Sequence, residues 1–137
     1  MRPMLDGETL VRWLDAMGWS VSPRGRRTFR CVRSTEEGAL DVYLRWTDNW
    51  LVASIVPFLT TGGSPSFELS RWLLRQNRDM RQIKFAYDED GDVVLSVELP
   101  TESLDPGELH TALEQLEREA VRQRATLRGA RPSESTT

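Results

Sequence analysis

Asp88, Asp90 and Asp92 stand at alternate positions around Gly91, a spacing that resembles the opening of a calcium-binding loop. Such a loop needs its glycine at the sixth position and a bidentate glutamate at the twelfth. Counted from Asp88, those positions fall on Val93 and Leu99, so the triplet reads as a solvated acidic turn. His110 is the only histidine and Cys31 the only cysteine. A structural zinc site wants several such ligands converging, and a single cysteine excludes an internal disulfide. His110 therefore reads as a surface helix residue, and Cys31, inside a strand pattern, as a buried inert thiol. No nucleophile-elbow pattern presents a serine to His110. Gly62-Gly63-Ser64 is too short for a phosphate loop, and no Lys-Ser or Lys-Thr follows it. Asp41, Asp48, Glu68 and Glu98 have the chemistry of an acid–base pair, but nothing in their spacing brings two of them together. These residues lead us to expect no enzymatic activity, no cofactor and no metal.

The strongest signal for a charged ligand is Arg24, Arg26, Arg27, Arg30 and Arg33, a run without acids. With Phe29 and the nearby Trp19 it offers phosphate contacts and base stacking together. The competing interpretation is a solvated edge hairpin whose charge discourages wrong strand pairing. The formal net charge of −3 gives no global drive toward nucleic acid. From Tyr87 to Leu116 every Asp, Glu, Lys or Arg is an acid. Lys84 is the only lysine, so the abundance of arginine also fits a bias in composition.

The 137 residues suit one domain with its own core. The clearest pattern lies between Ile83 and Pro100. Phe85 and Tyr87 alternate with Lys84 and Ala86. Val93, Leu95, Val97 and Leu99 alternate with Val94, Ser96 and Glu98. This is a hairpin with one covered face, turned at Asp90-Gly91. Upstream, Asp6 caps a helix from about Gly7 to Met17 whose apolar face is Leu10, Trp13, Leu14 and Met17. Ser20–Ser22 reads as a short edge, and Pro23-Arg24-Gly25-Arg26 as a turn. Strands follow over Thr28–Arg33, over Leu40–Trp46 and over Trp50–Phe58, with Pro57 expected to end the pairing of the last. A second helix runs from about Ser66 to Asn77. Leu69, Trp72 and Leu73 form its inner stripe, and Phe67 and Leu74 widen it beyond what one sheet face needs. Asp105-Pro106-Gly107-Glu108 opens a third helix, with Leu109, Ala112, Leu113, Leu116 and Ala120 inward.

The expected architecture is α+β: an antiparallel sheet with flanking helices in the order α-β-β-β-(β)-α-β-β-α. One domain covers residues 1–128, with a disordered tail over 129–137. Met1–Gly7 lacks the apolar run of a secretory signal, and no segment has the length of a membrane span. The chain reads as cytoplasmic, with no membrane partner.

Trp72-Leu73-Leu74-Arg75-Gln76-Asn77, Lys84-Phe85-Ala86 with Asp88–Gly91, Leu99-Pro100 and Leu104–Leu109 form a recognisable series. On these residues the chain resembles the YbjN-like family, which carries the description "putative bacterial sensory transduction regulator". That family is similar in fold to the class I type III secretion chaperones, the Tir-chaperone-like fold. The likeness is good over about residues 66–120 and looser before, and it specifies fold more strongly than activity. It implies a non-enzymatic, chaperone-like protein-binding module, a homodimer holding a protein partner or extended segment. Secretion itself is not carried over, because the arginine run departs from an acidic secretion chaperone. Trp46, Trp50, Val52 and Phe58 are candidates for a partner groove with Arg30 and Arg45 as polar handles. Leu69, Trp72 and Leu73 are candidates for core or dimer packing. The alternative is a nucleic-acid-associated factor using Arg24, Arg26, Arg27, Arg30 and Arg33.

Overall fold

The computed structural model describes residues 5–130. Helix α1 (Gly7–Ala16) starts where Asp6 accepts the Thr9 N–H. That bond holds the Asp6 carboxyl below its ordinary value. Four strands follow as antiparallel hairpins: β1 (Ser20–Gly25), β2 (Thr28–Thr35), β3 (Gly38–Trp46) and β4 (Trp50–Leu59). Helix α2 (Phe67–Asp79), capped by Ser66, leads into β5 (Ile83–Tyr87), β6 (Val93–Pro100) and α3 (Pro106–Ala130). The sheet order is β1-β2-β3-β4-β6-β5, so β5 becomes an edge and β6 lies against β4. The bracketed fourth strand of the sequence order is present, and the fold is α+β as expected.

Alternation sorts the sheet into two faces. Cys31, Val42, Leu44, Trp46, Leu51, Ala53, Phe85, Leu95 and Val97 point inward and are buried against Leu10, Leu14, Leu73, Leu109 and Leu116 of the helices. None of the buried core residues lies on the other face. Paired register carries one row across all six strands there: Ser22, Arg30, Tyr43, Ser54, Ser96 and Lys84.

Several boundaries differ from expectation: β2 runs on to Thr35, β3 starts at Gly38, α2 ends at Asp79, and β4 continues past Pro57 to Leu59, which pairs again with Val93. Strand β1 extends to Gly25 through an irregularity at Pro23, and the turn falls on Arg26-Arg27, with Arg27 at φ 52°. The register of Thr28 with both Gly25 and Arg45 places it there. Helix α3 runs to Ala130, two residues into the expected tail; the rest of that tail, 131–137, lies outside the described residues.

Candidate partner-binding site

The acidic turn is built by its own backbone. The Asp88 carboxylate accepts the N–H groups of Asp90 and Asp92 at 2.9 and 3.0 Å. The Asp92 carboxylate accepts the Thr61 N–H at 2.8 Å, and the Thr61 hydroxyl donates to the Gly91 carbonyl. Gly91 sits at φ 84°, and a Cβ there would meet the Gly63 carbonyl at 3.2 Å. The calcium-like spacing thus belongs to a turn locked against the loop before α2. His110 is half exposed, 3.7 Å from Glu114. Asp41 and Asp48 each face an arginine, whereas Glu68 and Glu98 stand on separate elements.

The arginine run does not converge. Arg27 pairs with Asp48 at 2.8 Å at the end of the hairpin. Arg30, on the open face, makes a bidentate pair with Asp41, with its Nη2 at 2.7 Å, and this bond raises the guanidinium pKa further. Arg33 points to the helix side, where it binds Glu117 of α3 and lies 4.6 Å from the Trp19 ring centroid. Arg24 and Arg26 remain exposed at the β1–β2 end. Strand alternation explains the split: Arg30 and Arg33 are an odd number of residues apart, so they emerge on opposite faces.

The six groove candidates divide in the same way. Trp50, Val52, Arg30 and Arg45 stand on the open face, where Arg45 is paired with Val52 and Val52 with Glu98. Trp46 and Phe58 do not join them: they are 6% and 3% exposed, inside the core. Trp46 packs on Phe29 with ring centroids 5.1 Å apart, and Phe58 on Phe85 at 5.2 Å. The causes differ. Trp46 shares the parity of Leu44 and Val42, which the helices cover, whereas Phe58 has the parity of Trp50 and Val52 and is turned inward by the register irregularity between Ile55 and Leu59.

Leu69, Trp72 and Leu73 all face the core, with Trp72 tilted over Phe85 at 5.8 Å. The other side of α2 holds Phe67 and Leu74, 77% and 69% exposed. They are seven residues apart, two turns along one face. Nearby, Ser70 bonds the Tyr87 hydroxyl at 2.7 Å. Sequence reasoning missed Gln123. It is fully buried in α3, donates to Gln76 of α2 at 3.2 Å, and its carbonyl oxygen has no protein partner. Its spacing of three from Ala120 would have placed it on the inner stripe; only its polarity hid it.

No helix among the described residues is long and apolar enough to cross a membrane. Comparison with curated proteins finds no match. Among solved structures, the chain is similar to the Yersinia pestis type III secretion chaperone SycH, crystallised in complex with a stable fragment of YscM2. The TM-score is 0.56 at 19% identity, over 84% of this chain and 96% of that one. It is equally similar to YbjN of E. coli, described as "a putative transcription regulator", with TM-score 0.56 at 16% identity over 97% of each chain. At these identities the likeness establishes the fold. The model of the YbjN family, "Putative bacterial sensory transduction regulator", matches residues 6–128, and the chain belongs to that family.

Proposed function

We propose that this chain is a non-enzymatic, chaperone-like module of the cytoplasm that binds a protein partner and is itself a homodimer. The observation that carries this proposal is the outward side of α2. Phe67 and Leu74 stand in solvent on a helix whose inner stripe is already spent on the core. Neighbouring exposed apolar side chains of this kind mark interaction surfaces, and dimer interfaces are apolar at their centre. The shared fold with SycH, whose structure holds a protein fragment, supports a partner-binding role. A nucleic-acid role draws less support, because carboxylates hold Arg27, Arg30 and Arg33 and leave Arg24 and Arg26 at one hairpin end.

Two measurements test the proposal. Sedimentation velocity over a concentration series reads the dimer. Affinity capture from host lysate, with and without nuclease, reads the partner. One protein enriched in both captures is the expected result. A catch that disappears with nuclease would move the role to nucleic acid.

A further inference from the structure

Strands β3 and β4 leave their hairpin as partners and then part. Their register runs from Trp46 with Leu51 to Tyr43 with Ser54 and stops there. Yet β3 extends back to Gly38 and β4 on to Leu59. On its other side β3 stays paired with β2 as far as Gly38. Backbone groups alternate in direction along a strand. Trp46 donates toward β2, at the Arg27 carbonyl, and Thr47 donates the other way, to Trp50. By the same alternation the N–H and C=O groups of Ala39 and Asp41 point toward β4, where the register offers them no partner. Gly38–Val42 spans roughly 16 Å at ~3.3 Å per residue, the length of an ordinary short strand.

The space between the strands is a cleft of about 520 Å³. Leu40 and Asp41 wall one side, Val56 and Pro57 the other, and Glu117 and Val121 of α3 lie beneath. Val56 and Val121 are 40% and 38% exposed, so apolar surface borders the free backbone edge. Of the acids that line the cleft, Asp41 is held by Arg30 and Glu117 by Arg33, and Arg124 lies 4.5 Å from the Phe58 ring centroid. The exposed Glu37 is therefore the carboxylate left to meet an incoming cation. A free strand edge is satisfied by another extended backbone, and side-chain pockets then choose its sequence.

We propose that this cleft receives one extended segment of a protein partner, inserted as a strand beside β3, with apolar side chains toward Val56 and Val121 and a lysine or arginine toward Glu37. This site depends on the protein-binding role proposed above and gives it a place and a chemistry.

The test uses the full chain, isotope-labelled, and a displayed library of short random peptides selected against it. Amide exchange is then followed by NMR with a selected synthetic peptide. In the free chain, Ala39 and Asp41 should exchange fast, whereas Tyr43 and Arg45 are protected. At a peptide concentration about a hundred times its Kd, exchange at Ala39 and Asp41 should slow roughly a hundredfold. Selected sequences should be rich in Lys or Arg, and Glu37→Lys should weaken binding about fivefold. Slow exchange at Ala39 and Asp41 in the free chain overturns the proposal. If deletion of residues 131–137 then releases it, the occupant is the chain's own C-terminus. Peptides that bind without slowing these two amides place protein binding elsewhere, so the site fails and the general role survives. A selection that returns no binder also rejects the cleft, and the lysate capture then decides the general role by itself.

Discussion

Replacing Phe67 with aspartate separates the two sides of α2. Phe67 is the first residue of the helix, after the Ser66 cap. A carboxylate there lies at the positive end of the helix dipole, so the helix itself gains slightly. With Phe67 77% exposed, the chain alone should change by no more than about 0.5 kcal/mol. Association is a different matter. An aromatic side chain offers 150–250 Å² for burial, so roughly 150 Å² of Phe67 remains for a partner to cover. At ~25 cal/mol/Å² that is about 4 kcal/mol per copy. A two-fold interface uses the same residue twice, for a gross ~8 kcal/mol. Lost translational and rotational freedom consumes part of it. If half survives, the dimer Kd rises nearly a thousandfold. Sedimentation velocity reads the association, and urea titration with circular dichroism reads the fold. A variant that associates as tightly as the parent refutes the interface on this side of α2. A variant that loses helix, with stability down by more than about 1 kcal/mol, refutes the solvent placement of Phe67. A parent that stays monomeric at every concentration removes the homodimer altogether.

The inner side of α2 should respond in the opposite way. Trp72→Ala removes the ring packed on Phe85 and should lower stability by about 3 kcal/mol in urea titration; unchanged melting would show that Trp72 lies outside the core. Gln123→Leu replaces a buried amide whose carbonyl oxygen has no protein partner, and should raise stability by about 1 kcal/mol. A lowered melting temperature would mean that the bond to Gln76 outweighs that unsatisfied oxygen. Cys31 is a test of pH dependence. Burial pushes its thiol up to about 12 from 9.0. The folded chain therefore favours the neutral form, and this contribution is complete below the unfolded value and lost as pH rises from about 9 toward 12. At about pH 8 a disulfide reagent should react with the native thiol far more slowly than with the denatured one. Equal rates would place Cys31 at the surface.

The element order was legible because each element carries a local signal. Asp6, Ser66 and Asp105 each accept the N–H three residues on, as an N-cap should, and period-two apolar runs mark β3 and β6. The allocation of aromatic residues between core and surface was less legible. Trp46 and Trp50 are four apart across a hairpin, and their faces depend on which residues form the loop. Thr47 donates its N–H to the Trp50 carbonyl across Asp48-Asn49, so Trp46 pairs with Leu51, and Trp50 falls on the opposite face beside Pro100. The arginine run looked continuous because sequence has no sides. Its partners Asp41, Asp48 and Glu117 are 11, 21 and 84 residues away, and no local pattern announces them. Gln123 was hidden by its type, since a polar residue on a buried stripe is read as a break in it.

Pro57 shows how one residue connects these levels. A proline in a central strand removes a ladder donor and is normally confined to edges or bulges. Strand β4 is central, between β3 and β6. Both neighbours release it at the same place. Pairing with β3 ends at Ser54, and pairing with β6 passes from Ile55 directly to Leu59. The missing N–H therefore costs no ladder bond. Beyond that point β1, β2 and β3 continue together on one side, and β4, β6 and β5 on the other. Arg33, reaching from β2 to Glu117 on α3, ties the first group to the helix that packs on β6 and β5. An ion pair on the helix side holds the two groups there while the backbone groups of Ala39 and Asp41 that face β4 stay outside its register. A sheet interrupted in this way keeps a continuous core on one face and an unpaired interior edge within reach of a second chain.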